Sequence, residues 1–137
     1  MNSEYFKTRF RTDENQIHIL EEFVIITAYP TTGENWDTAI IDEADQKLTT
    51  ELKSRKSWMF RIEGYSPQTR HAEQGWGTSM PIDEACDMGL RYLQDAIFYV
   101  KNDLLSVTYC DERRELVKIG SFEERLDDQN MFSEYHD

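Results

Sequence analysis

An α+β domain in two layers is the fold class this sequence predicts, with two helices over one face of a mixed sheet. Three observations carry the prediction: β-branched and aromatic runs of strand length, two stretches whose apolar residues recur at helical spacing, and turn residues between them. A chain of 137 residues is long enough for one real core, and 39% hydrophobic residues with 12% aromatics, gathered in blocks, argue against disorder.

The run Glu22-Phe23-Val24-Ile25-Ile26-Thr27-Ala28-Tyr29-Pro30 predicts a buried central strand that proline stops, with Thr31-Thr32-Gly33 as the loop behind it. From Asn35 or Asp37 the period changes. Ile40, Ala44, Leu48 and Leu52 recur every four residues between acidic and polar neighbours, which predicts an amphipathic helix. Met59 to Tyr65 alternates and ends at Ser66-Pro67, as a second strand does. A polar stretch, Gln68 to Glu73, separates it from a short third strand at Trp76-Gly77-Thr78-Ser79-Met80. Pro81-Ile82-Asp83 starts a second helix, with Asp83 as its cap and Glu84 and Asp87 suited to the positive end of the helix dipole. Cys86, Leu90 and Leu93, with Met88 and Tyr92 beside them, form its expected buried side, and it ends near Gln94. Ala96 to Val100 is a further strand, Asn102-Asp103 a two-residue hairpin turn into Leu104 to Tyr109, and Asp111 to Arg114 a turn into Leu116 to Ile119.

The succession β-α-β-β-α-β followed by two strands fits a ferredoxin-like, or split βαβ, sandwich, its mixed sheet extended by two C-terminal antiparallel strands. One domain is expected over residues 20–126. Residues 1–19, locally basic at Lys7, Arg9 and Arg11, are expected as a solvated N-terminal arm. Residues 127–137 are expected as a flexible acidic tail; from 123 onward the chain carries six acids against Arg125 alone.

A formal net charge of −12 opposes contact with phosphate backbones and anionic membranes, so direct nucleic-acid or membrane binding is not expected. The opening residues form no apolar leader, and no apolar run approaches the roughly 18 residues that span a bilayer. With Cys86 and Cys110 far apart in the chain and read as reduced, buried thiols, a cytoplasmic protein is expected.

The densest polar cluster is Arg70, His71 and Glu73 beside Trp76, with Tyr29, Asn35 and Trp36 brought near if the loops gather. There a histidine could move protons near neutral pH, a carboxylate orient it and an arginine hold an anion. Gly75 would allow an unusual backbone angle, and Gln94 would either cap its helix or reach to the end of the first strand. Spacings that mark metal sites, Cys-His pairs, phosphate loops or dinucleotide folds are absent from the sequence, and no metal or cofactor is expected.

Ile26-Thr27-Ala28-Tyr29-Pro30, Arg70-His71-Ala72-Glu73-Gln74-Gly75-Trp76, Asp83-Glu84-Ala85-Cys86 and Gln94-Asp95-Ala96-Ile97-Phe98-Tyr99 together resemble a bacterial family known as domain of unknown function 3293. Its members share an Ile-Thr-Ala-aromatic-Asn-Pro strand end, a Glu before the third strand and a Gln-x-Ala-aromatic start to the strand after the second helix. The asparagine before Pro30 is missing here, so no role of that residue carries over. The resemblance implies that Thr27, Tyr29, Glu73, Trp76 and Gln94 occupy motif positions, and it brings no activity.

Three functional readings follow. The first is a binding or regulatory domain whose helix-free sheet face or strand-end loops engage a protein or a small polar ligand. Its candidate residues are Thr27, Tyr29, Asn35, Arg70, His71, Glu73, Trp76 and Gln94. The second is an enzyme for a small anionic substrate, with Glu73 or His71 as acid or base. The third is an acidic interaction or inhibitor protein that imitates nucleic acid. An exposed edge strand is compatible with a homodimer.

Overall fold

A computed structural model describes residues 3–14, 21–28, 38–68 and 72–127. A 3₁₀ turn (Ser3–Lys7) leads into β1 (Arg9–Arg11), followed by β2 (Glu22–Thr27), α1 (Thr38–Ser54), β3 (Met59–Tyr65), β4 (Ala72–Thr78), α2 (Ile82–Arg91), β5 (Ala96–Lys101), β6 (Leu104–Tyr109), β7 (Val117–Ser121) and the short α3 (Phe122–Arg125).

The strands form one seven-stranded sheet in the order β1-β3-β4-β2-β5-β6-β7, and every neighbouring pair is antiparallel. This corrects the expected architecture: the sheet is not mixed, and the molecule is not a two-layer ferredoxin-like sandwich but a curled half-barrel. The curl is measurable. Phe10 on β1 lies four strand steps from Phe98 on β5, about 19 Å apart in a flat sheet, yet their ring centroids are 5.3 Å apart. Phe10 also forms a parallel bridge to Leu126, and the Asp127 N–H donates to the Phe10 carbonyl at 2.9 Å, so the segment after β7 joins the β1 edge.

Two cores lie on opposite faces of the sheet, because alternate residues of a strand point to opposite sides. Val24 and Ile26 of β2 pack with Leu48 and Leu52 of α1 and with Ala85, Cys86 and Met88 of α2. Phe23 and Ile25 of the same strand pack on the other side with Phe10, Phe60, Ile62, Val100, Leu105 and Phe122. The helix-free face is therefore no open platform: the curl and α3 fill it with the protein's own aromatic rings, several at edge-to-face geometry.

Local expectations are adjusted in the same way. Arg9 to Arg11, expected as part of a solvated arm, form the edge strand β1, and Phe10 is fully buried. β4 starts at Ala72, because the polar residues before Trp76 pair with β3 through Tyr65↔Ala72. In α2 the buried residues are Ala85, Cys86, Met88 and Gly89, while Leu90 is 46% and Leu93 54% exposed. The helix ends at Arg91 and Leu93 takes a left-handed backbone angle of 60°, which swings it off the helical face. Pro81 rather than Asp83 occupies the N-cap position, without a side-chain cap. Asn102 and Asp103 adopt φ of 48° and 70°, the two positive angles of a tight hairpin turn.

Candidate functional site

Three chain segments meet where β2 ends. β2 and β4 run in opposite directions with Thr27 opposite Gly75, and Gly75 also faces Ile62 of β3. A Cβ on Gly75 would lie 2.6 Å from the Thr27 methyl and 2.8 Å from the Ile26 carbonyl, so only glycine lets the strands approach here. Its φ is not positive: the residue is needed for its missing side chain, not for the unusual backbone angle expected of it.

Thr27 follows Phe23 and Ile25 on the aromatic face, where its hydroxyl donates to Gln94 Oε1 at 2.5 Å. Gln94 Nε2 donates to the Tyr92 carbonyl at 3.2 Å, and the Gln94 N–H to the Gly89 carbonyl at 2.8 Å. One buried amide thus ties the end of α2 to the end of β2, performing both of the roles foreseen for it. Glu73 lies two residues from Gly75 on the same face of β4, one strand repeat of about 7 Å further toward the sheet end. Beside this edge the Tyr5 hydroxyl donates to Asp95 Oδ2 at 3.3 Å, and the Tyr5 ring stands edge-on to Phe98.

Thr27 and Gln94 are therefore joined at the mouth of the half-barrel, and Glu73 lies on the same face of the sheet one strand repeat beyond Gly75. Trp76 does not join them. Three residues from Glu73, it falls on the opposite face of β4, where its Nε1–H donates to Thr49 Oγ1 of α1 at 2.9 Å. Arg61 lies 4.5 Å over its ring and donates to Asp45 Oδ2 at 2.6 Å, which fastens α1 to the sheet. Tyr29, Asn35, Arg70 and His71 lie outside the described residues, as does the tail from 128 onward. Asp95 and Tyr5 were missed in the sequence. Asp95 was within reach as the neighbour of Gln94 in the quoted motif, whereas Tyr5 gave no local signal.

A second polar group closes the outside of this end. Asp127 accepts from Arg9 Nε at 3.0 Å, from Arg9 Nη2 at 2.9 Å and from the Tyr65 hydroxyl. The hydrogen bond to Asp127 raises the Arg9 guanidinium pKa, and burial followed by the same carboxylate pushes the Tyr65 phenol up. Arg11 lies over the Tyr65 ring at 4.0 Å and pairs with Glu63. Asp127 holds Arg9 and Tyr65 at once, which suits a structural clasp.

Chemically, the mouth offers a hydroxyl, a carboxamide and a carboxylate, a set rich in acceptors that matches ligands carrying N–H or O–H donors. Among the described residues no group of three or more His, Cys, Asp or Glu side chains could hold a metal ion. No helix among them is long and apolar enough to cross a membrane.

A family model described as "Protein of unknown function (DUF3293)" matches residues 26–97. The match begins at the end of β2 and ends at the start of β5, so it contains Thr27, Glu73 and Gln94 and leaves out β1, β6, β7 and α3. No curated protein matches the chain, and no solved structure does.

Proposed function

Since the chain belongs to the DUF3293 family of proteins of unknown function, a membership that assigns no activity, we propose from its geometry that it is a small binding domain. Its site is the mouth of the half-barrel. The observation that carries this reading is the part-buried Thr27–Gln94 hydrogen bond, made at the strand end where Thr27 also meets Gly75, on the face that Glu73 shares. Such a bond fixes two polar side chains from distant segments at the end of a strand, where a rigid scaffold presents its loops. The ligand is a small polar molecule or peptide group whose N–H or O–H donors meet Glu73 and the Thr27–Gln94 pair. A cytoplasmic location, with both thiols reduced, is part of the proposal.

Thermal-shift screening against neutral and cationic polar metabolites, repeated with Glu73→Gln, tests it. A compound that raises Tm for the native chain and loses that effect in the variant is the expected result. Hits that stabilise both proteins equally would place the site elsewhere, and turnover of a hit would move the reading to the enzyme class.

The net charge of −12 favours a second reading, an acidic protein that covers a basic partner surface. Capture of a basic partner that weakens steeply with salt supports it, and salt-insensitive capture counts against it.

A further inference from the structure

The chain holds two cysteines, Cys86 and Cys110, 24 positions apart in sequence and both fully buried in the core beneath α2. Two contacts bring them together from opposite directions. Cys86 Sγ points at the carbonyl of Tyr109, 3.7 Å away, which belongs to the peptide bond joining Tyr109 to Cys110. Gly89, one turn after Cys86 and on the same helix face, lies so close to Cys110 that a Cβ there would fall 2.7 Å from Cys110 Sγ. Neither thiol takes part in the proposed ligand site.

We propose that Cys86 and Cys110 are an oxidation site that closes to an intramolecular disulfide when hydrogen peroxide reaches it. The two thiols are unequal. A hydrogen bond from Cys110 lowers the Cys86 pKa against the opposing effect of burial, and the same bond, with burial, raises Cys110. Cys86 is the nucleophile and Cys110 the resolving thiol.

In the first step the Cys86 sulfur, having lost its proton, attacks one peroxide oxygen. The S–O bond forms as the O–O bond breaks, sulfur is oxidised, and the departing oxygen takes up that proton as water. In the second, the Cys110 sulfur attacks the Cys86 sulfur. The S–S bond forms, the S–O bond breaks, and hydroxide leaves with the Cys110 proton as the second water.

The product would pin α2 to the end of β6. The Cys110 N–H donates to the Asp95 carbonyl at 2.9 Å, and Gln94 Cβ lies 3.5 Å from the position of a Cβ on Gly89. Oxidation therefore acts directly beneath the 94–95 segment. The inference stands on the thiol pair alone and does not rest on a ligand at the mouth.

The test treats the full chain with hydrogen peroxide, quenches in acid, alkylates free thiols under denaturing conditions and maps a non-reducing digest by mass. The expected product is monomeric, has no alkylated cysteine, and yields one linked peptide holding Cys86 and Cys110 with two hydrogens fewer than the reduced pair. A parallel sample of Cys110→Ser should trap the sulfenic acid at Cys86 with dimedone. Thiols that remain alkylatable after peroxide, a disulfide between two chains, or oxygen added to one cysteine without linkage would each overturn the proposal. These readouts on the native chain decide the matter even if the variant does not fold.

Discussion

A methyl group at Gly77 would sit 2.2 Å from the Phe60 ring, so this glycine is fixed by a ring that belongs to the aromatic core. Gly77→Ala is expected to destabilise the fold by about 1–3 kcal/mol, the usual cost of overpacking a filled core. Denaturant unfolding with and without Phe60→Leu measures it, and recovery in the double variant identifies the ring as the cause. Tyr99 supplies a pH test. Burial, followed by its hydrogen bond to Glu22, pushes the phenol up to about 12 from 10.0. The folded state therefore favours the neutral ring. That contribution is complete below about pH 10 and is lost as pH rises from 10 toward 12. Tyr99→Phe should flatten the fall in unfolding free energy over this window, and an unchanged slope would contradict the assignment. The sequence exposed part of this scale. Thr27 and Gln94 were legible as strand-end and helix-end motif residues. The separation of Glu73 from Trp76 was not, since the strand was expected to start only at Trp76, and residues three apart face opposite ways only when both lie on one strand. The Tyr5–Asp95 contact spans 90 positions and left no local trace.

Elements that bury one face declare themselves by periodicity, and those that only edge the sheet do not. Leu48 and Leu52 mark α1, and the alternating burial of Phe60 and Ile62 marks β3. β1 has three residues, two of them arginine, and earns its place only by pairing with β3 and inserting Phe10 into the aromatic core. It depends on the Asp127 clasp: the Asp127 side chain is 2% exposed, and it holds Arg9 and Tyr65 together. Asp127→Ala strips both donors of their partner and is expected to cost about 1–3 kcal/mol. Native-state hydrogen exchange should show the loss first in the β1–β3 amides, while those of β2 and β5 keep their protection. Equal loss throughout the sheet would show that β1 is no separable element. In the middle of the chain, α2 was read one turn too long because Leu90 and Leu93 are apolar. Apolar residues at a helix terminus need not face inward, and the turn at Tyr92 and Leu93 directs this pair outward.

The molecule as a whole is shaped by five phenylalanines, at 10, 23, 60, 98 and 122, which occur once per element and meet on one side of the sheet. Successive ones lie 13 to 38 positions apart, so the curl was invisible to any local pattern, and the sheet was read as mixed. Strand order and curvature are decided by contacts between positions far apart in the chain, and those are not written as spacing. The charge belongs to this scale as well. With 27 acids against 15 bases, self-repulsion opposes the compact state, and added salt screens it. Raising sodium chloride from low to physiological strength should increase Tm by a few degrees; a fall would mean that the surface ion pairs outweigh the net charge.

Everything proposed for the mouth requires the sheet to curl until β1 reaches β5 and the Thr27, Gly75 and Gln94 segments close at one end. A nuclear Overhauser spectrum of the isotopically labelled chain measures this directly. Cross-peaks from the Phe10 ring to those of Phe98 and Phe122, together with one between the Thr27 methyl and the Gln94 side-chain amide, are the expected result. Phe10 contacts confined to β3, with no Thr27–Gln94 peak, would contradict it.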